Sequence, residues 1–294
     1  MVTAAQWFEG SRPRTLPMAM APVIIGSAAA YELGAFRPVQ AVLAAIVAVL
    51  LQVGVNYAND YSDGIRGTDN ARVGPLRLTG SGTASPTQVK FAAFLCFALA
   101  MAAGAALILL SQAWFLILVG VGCIAAAWGY TGGKNPYGYL GLGDIFVFVF
   151  FGLVATLGTT YTQAGSLSAP AWVGAVSTGV IAMALLMANN VRDIPTDRET
   201  GKLTLAVRLG DDAARISYVM MLALAVLLPL FLAYDYPWVM LVLLLIPACL
   251  MPSWTMLTGK ERHSLIPVLK QTSIINLAFS VLFGAGLVLT RVLG

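Results

Sequence analysis

The sequence predicts an all-α, polytopic membrane protein: nine transmembrane helices in one bundle, with two acid-rich motifs at helix ends on the cytoplasmic side. Three observations carry this. Of 294 residues 59% are hydrophobic, about 173, and only 10% are charged, whereas a soluble domain carries roughly 25% charge and cannot hide so much apolar surface. Charge-free stretches recur at lengths that suit a bilayer, about 20 residues per helix. Of the 17 Lys and Arg residues, 15 fall in alternate connections between those stretches. Water-soluble folds are excluded, and so are outer-membrane barrels, whose alternating segments of about ten residues are absent.

A charge at the bilayer centre costs several kcal/mol, so uncharged runs mark the spans. Leu16 to Tyr31 is the first and Pro38 to Asn59 the second. Phe91 to Gly133 is too long for one helix and divides at Ser111-Gln112 into the third and fourth. Ile145 to Val191 divides around Gln163 to Pro170 into the fifth and sixth. Ile216 to Tyr234, Tyr236 to Gly259 and Gln271 to Thr290 complete the set. The span limits lie near 16–31, 38–58, 91–110, 113–130, 145–162, 171–188, 216–234, 236–257 and 271–290, in a single domain of residues 1–294.

With nine spans, one set of connections holds Arg12, Arg14, Arg66, Arg72, Arg77, Lys90, Lys134, Arg192, Arg198, Lys202, Arg208, Arg215, Lys260, Arg262 and Lys270. The other holds only Arg37 and Arg291. Cytoplasmic loops retain Lys and Arg, so the N-terminus is expected in the cytoplasm and the C-terminus outside. Glu9, Arg12 and Arg14 lead into the first span without a cleavage pattern, so no signal peptide is expected. Cys96, Cys123 and Cys249 lie inside spans without metal-ligand spacing and read as packing residues. The net charge of +4 reflects the loop bias and contact with anionic membrane lipid, not nucleic-acid binding.

Eleven of the 13 carboxylates fall on the cytoplasmic side, and they are densest in two segments. Asn56 to Asp69 ends the second span, and Ala188 to Glu199 ends the sixth. Laid over one another they read ANDYSD and ANNVRD, so Asn59 matches Asn189 and Asp63 matches Asp193. An internal repeat four helices long explains this, and such repeats place their sites at the repeat interface. Asn and Asp four residues apart share a helix face, and Asp197 extends the second face by one turn. Two opposed acidic faces repel unless a cation lies between them. Oxygen-only ligands select a hard ion, and Mg²⁺ is commonly held by a few carboxylates plus substrate phosphates. Arg66, Arg72 and Arg77 in the first cluster, with Arg192, Arg198 and Lys202 in the second, suit the diphosphate of such a ligand. Solvated helix caps are the plain alternative; they account for one cluster more easily than for two at matching positions.

These residues resemble a known family. NDYSD (Asn59 to Asp63) and NVRDIPTD (Asn190 to Asp197) on cytoplasmic helix ends are similar to the UbiA superfamily of intramembrane prenyltransferases. RPRTLP (Arg12 to Pro17), NDYSDGIRGTD (Asn59 to Asp69), GPLRLTGSG (Gly74 to Gly82), YTGGKNPYGYLGLGD (Tyr130 to Asp144) and DRETGKLTLAVRLG (Asp197 to Gly210) look like its 1,4-dihydroxy-2-naphthoate polyprenyltransferase branch, MenA. The likeness runs from about residue 7 to 291, with five separated motifs in order. The superfamily pattern NDxxDxxxD would put a third Asp at Gly67, whereas here the next carboxylate is Asp69; the MenA branch shares that ending.

The resemblance implies a Mg²⁺-dependent enzyme of the bacterial cytoplasmic membrane that moves a polyprenyl group from polyprenyl diphosphate to 1,4-dihydroxy-2-naphthoate with loss of CO₂ and diphosphate. Asn59, Asp63, Asp69, Asn189, Asp193 and Asp197 are the implied metal ligands. Departure of the diphosphate leaves an allylic cation, which demands a dry apolar pocket. Tyr57, Tyr130, Tyr137 and Tyr139 are placed to shield it by cation–π contact, or alternatively to anchor helix ends at the interface. The acceptor carboxylate needs a cation: Lys134 in its Gly-rich loop first, then Arg12 and Arg14, with Tyr130 and Tyr139 beside the ring. Another aromatic acceptor, such as 4-hydroxybenzoate or homogentisate, is the rival within the family. A cation-coupled transporter is the rival outside it, but the two copies are four spans apart and share one orientation, which does not suit inverted repeats.

Overall fold

The computed structural model describes residues 2–67, 76–133, 136–259 and 261–293. Among them no strand occurs, and all the regular structure is helical. A short surface helix, α1 (Ala4–Gly10), opens on a capping box in which Thr3 and Gln6 satisfy each other's backbone donors. Then come α2 (Leu16–Glu32), α3 (Pro38–Arg66), α4 (Pro86–Ser111) and α5 (Leu116–Gly129). A 3₁₀ turn (Tyr137–Leu140) precedes the continuous helix Gly143–Ala164, built of α6 (Gly143–Val147), a π-helical stretch (Phe148–Val154) and α7 (Ala155–Ala164). The long α8 (Ala169–Glu199) and short α9 (Leu205–Leu209) follow. Last are α10 (Asp211–Leu227), α11 (Ile246–Thr258) and α12 (Ile266–Leu293), with 3₁₀ segments at Leu228–Leu232, Pro237–Leu245 and Arg262–Leu265.

Each stretch expected to span overlaps a helix among the described residues. Seven helices are long and apolar enough to cross a bilayer, at Pro38–Arg66, Pro86–Ser111, Gly143–Ala164, Ala169–Glu199, Asp211–Leu232, Pro237–Thr258 and Arg262–Leu293. The first and fourth expected spans are shorter helices, α2 with 17 residues and α5 with 14. Large apolar side chains such as Leu118, Phe231 and Trp254 point outward, as a lipid-facing surface requires and a water-facing one forbids.

The centre of the bundle is α8, which packs against α2, α7, α10 and α12. Of its most apolar stretch 67% is buried, against 22% for α3 and α4. Two local departures from α geometry have visible causes. At the π-helical stretch Gly152 lies so close to α8 that a Cβ there would come within 2.6 Å of the Gly179 Cα, so only glycine admits this approach. In Pro237–Thr258 the amide of Ile246 donates to the Leu243 carbonyl, the bond that Pro247 cannot make. The buried hydroxyls of Thr159, Thr160 and Thr162 donate to carbonyls four residues earlier, which removes unpaired polar groups from the apolar interior. Cys96, Cys123 and Cys249 are free and only partly buried, less enclosed than their place in the spans suggests.

Candidate active site

The last turns of α3 carry Asn56, Asn59, Asp60 and Asp63, three and four residues apart on one buried face. They divide into two pairs. Asn56 donates to the Ser11 carbonyl at 2.8 Å, and the Asp60 carboxylate accepts the amides of Leu78 at 2.7 Å and Thr79 at 2.9 Å. These two bind the N-terminal segment and the loop before α4 to the helix. Asn59 and Asp63 turn instead to the α5–α6 connection: the Asn59 carbonyl oxygen accepts from the Thr131 hydroxyl at 2.8 Å, and Asp63 accepts from the Tyr139 hydroxyl at 3.2 Å.

On α8, Asn189, Asp193 and Asp197 recur every four residues. Arg192 lies along this face, with Nε and Nη2 each 2.7 Å from an oxygen of Asp193, and Nη2 also donates to the Asn189 side chain at 2.9 Å. Lys202 Nζ stands 3.4 Å from Asp197. Pro195 sits inside the helix and has no amide to offer the Val191 carbonyl. Arg262 fills that gap at 2.9 Å and also pairs with Asp211, whose carboxylate is 2.9 Å from Arg215 Nε.

Tyr139 joins the two helix ends. Its hydroxyl meets Asp63 of α3, its ring lies under Arg66 Cζ at 5.3 Å and Lys202 Nζ at 5.5 Å, and its carbonyl accepts the Leu203 amide at 3.0 Å. Arg66 donates to the carbonyls of Thr131 and Gly133, and Arg208 donates to that of Leu140 at 3.1 Å. Tyr130, just past the end of α5, stands edge-on to Tyr137 with ring centroids 5.5 Å apart, and its neighbour Thr131 donates to Asn59. The two acid-rich ends meet at one end of the bundle.

The other expected residues are less tightly gathered. Arg12, with a left-handed backbone (φ 55°), reaches the Asn56 carbonyl at 3.5 Å. Arg14 is exposed and lends its carbonyl to the Ser273 hydroxyl at 3.2 Å. Arg77 is partly buried beside the amides clamped by Asp60, and Arg198 is exposed. Asp69, Arg72 and Lys134 lie outside the described residues. His263 lies at the surface, its Nε2 3.0 Å from a Glu261 carboxylate oxygen.

Among the described residues no three His, Cys, Asp or Glu side chains stand close enough to hold a metal ion by themselves. The donors fit a hard cation nonetheless. They are all oxygens, and the carboxyls of Asp63 at 9% and Asp197 at 6% exposure are withdrawn from water. A site with too few protein ligands suits Mg²⁺, which completes its octahedron with water and phosphate. Three residues had gone unassigned: Asp60 and Arg262, which act through partners distant in sequence, and Asp144, a buried acid at the end of a Gly-rich loop.

The chain matches the model of the UbiA prenyltransferase family over residues 19–288. It is 51% identical over 284 residues to the 1,4-dihydroxy-2-naphthoate octaprenyltransferase of Mycobacterium tuberculosis, covering 96% of each chain. It is 39% identical to the Escherichia coli protein of that name, covering 97% of this chain and 96% of that one. Among solved structures it resembles a UbiA homologue from Aeropyrum pernix, with a TM-score of 0.70 at 18% identity over 92% of this chain and 97% of that one. A UbiA homologue from Archaeoglobus fulgidus bound to DMAPP and Mg²⁺ gives a TM-score of 0.67 at 18% identity over 96% and 99%. The acid-rich ends of α3 and α8, the all-helical bundle and these matches lead to one conclusion: the chain belongs to the UbiA prenyltransferase family.

Proposed function

We propose that this protein transfers a polyprenyl group from polyprenyl diphosphate to 1,4-dihydroxy-2-naphthoate, releasing CO₂ and diphosphate and yielding demethylmenaquinol for menaquinone biosynthesis. It does so in the bacterial cytoplasmic membrane, with nine crossings, a cytoplasmic N-terminus and the site on the cytoplasmic side. The observation that carries the chemistry is Tyr139, which touches Asp63 on one acid-rich helix end and stacks under the cation paired with Asp197 on the other. The choice of acceptor follows the relatives of that name, which match nearly the whole chain.

Asn59, Asp63, Asn189, Asp193 and Asp197, with Asp69, would hold Mg²⁺. Bound there, it neutralises diphosphate charge and makes diphosphate a better leaving group. Lys202 and Arg192 hold phosphate oxygens, Arg66, Arg77 and Arg198 add positive field at the same end of the bundle, and Arg72 belongs to the same diphosphate-binding set. The rings of Tyr139 and Tyr130 face the carbon from which diphosphate departs, and the apolar bundle keeps water from that carbon. Lys134, with Arg12 and Arg14, holds the acceptor carboxylate.

The test is incubation of purified protein, in lipid, with dihydroxynaphthoate and octaprenyl diphosphate. A prenylated, decarboxylated product is expected, abolished by EDTA and restored by Mg²⁺. Asp63→Ala and Asp193→Ala should each lower turnover by orders of magnitude. Product formed only with 4-hydroxybenzoate or homogentisate would replace the acceptor, and full activity in both variants would overturn the two-motif site.

A further inference from the structure

We propose that Asp144 is a further catalytic residue, taking the proton of the acceptor hydroxyl beside the reacting carbon and returning it after CO₂ has left. This deepens the function proposed above and rests on it. Asp144 is 2% exposed, and its Oδ1 is buried without a hydrogen-bond partner. A carboxylate oxygen withdrawn from water with no donor costs free energy. An incoming hydroxyl is the donor it lacks.

Its position favours the acceptor over the metal. Asp144 belongs to neither acid-rich helix end; it starts the helix that follows the Gly-rich loop. The preceding residue, Gly143, packs on Tyr130 so closely that a Cβ there would be 3.2 Å from the ring and 3.6 Å from the hydroxyl. Tyr130 in turn adjoins Thr131, whose hydroxyl donates to the Asn59 side chain at 2.8 Å. Asp144 therefore follows directly on the glycine that packs against the Tyr130–Thr131 end of α5, and there the proposed step seats the aromatic diol.

The chemistry needs one proton moved twice. The allylic carbon–oxygen bond breaks and diphosphate leaves with its electron pair. The ring carbon bearing the carboxylate forms the new carbon–carbon bond, the adjacent hydroxyl becomes a ketone, and its proton passes to Asp144. The carboxylate now lies β to a ketone, so its carbon–carbon bond breaks, CO₂ departs and the electron pair rebuilds the aromatic ring as a phenolate. Asp144 returns the proton to that oxygen. Atoms and electrons balance without an oxidant or a further reactant.

Asp144→Asn keeps the shape and removes the base. It should lower kcat by roughly 100-fold or more, while KM for octaprenyl diphosphate and the Mg²⁺ concentration at half-maximal rate stay within threefold of wild type. Asp144→Ala should regain rate in proportion to added formate, a small carboxylate that replaces the missing base. Activity of Asp144→Asn within threefold of wild type would overturn the proposal. So would a large rise in the Mg²⁺ requirement, which would make Asp144 a ligand, or a lowered Tm with no formate rescue, which would make it structural. Wild-type protein that fails to prenylate dihydroxynaphthoate would overturn the acceptor assignment, and this step with it.

Discussion

Tyr139 makes separable contacts, so its replacement by Phe and by Leu yields graded losses. Phe keeps the ring under Arg66 and Lys202 and removes only the hydroxyl that meets Asp63 at 3.2 Å. A hydrogen bond to a charged acceptor is worth about 1.5–3 kcal/mol, and about 1.4 kcal/mol is a factor of ten in rate. Tyr139→Phe should therefore lower kcat/KM by about 10- to 150-fold, if the phenol is what keeps Asp63 in register with the α8 motif. Leu removes the ring as well. Two cation–π contacts of about 0.5–1 kcal/mol each add a further loss of roughly 5- to 30-fold. The assay is initial-rate prenyl transfer in nanodiscs at saturating Mg²⁺, with thermal unfolding run alongside to show equal folding. A Phe variant with wild-type kcat/KM would show that Asp63 is positioned without the phenol. A Leu variant no worse than Phe would remove the ring from the account.

Lys134→Ala should raise KM for dihydroxynaphthoate more than KM for the donor; an effect on the donor alone would assign Lys134 to the diphosphate. Arg262→Ala should lower Tm, because the Val191 carbonyl loses its donor, and the loss should shrink by about 1 kcal/mol in a Pro195→Ala background, where a backbone amide is restored. Equal losses in both backgrounds would show that Arg262 acts only through Asp211. Donors longer than a few isoprene units should share one KM in bilayers, since tail carbons lying in lipid gain little by binding; a sharp optimum would mean a closed pocket with a floor.

The sequence revealed what depends on composition and spacing, and concealed what depends on partners far along the chain. The spans were readable because charge is excluded from the bilayer core, and the acid faces because four-residue spacing survives in any α-helix. The extra turn of α8 that carries Asp197 was readable in this way even across Pro195. Helix type was not: the π-helical stretch arises from a contact between Gly152 and Gly179, and the 3₁₀ segment before α11 from where Pro247 withholds an amide. Nor was the division of labour on α3. Asp60 and Asp63 look alike in NDYSD, yet Asp60 is taken by two amides 18 and 19 residues on, and Asp63 meets a tyrosine 76 residues away. A carboxylate's role is set by what folds against it. Arg192 makes the same point: spacing marks it as a diphosphate ligand, but the fold lays it bidentate on its neighbour Asp193. A diphosphate that binds there must therefore compete with Asp193 for the same guanidinium, and Mg²⁺ on Asp193 relieves that competition by taking the carboxylate. Donor and metal should accordingly bind with positive cooperativity, each tightening the other by the same factor. Titrating donor binding at several Mg²⁺ concentrations measures that factor, and Arg192→Met should lower it to the part that direct metal–phosphate contact contributes; a coupling unchanged in the variant would show that Arg192 never leaves Asp193.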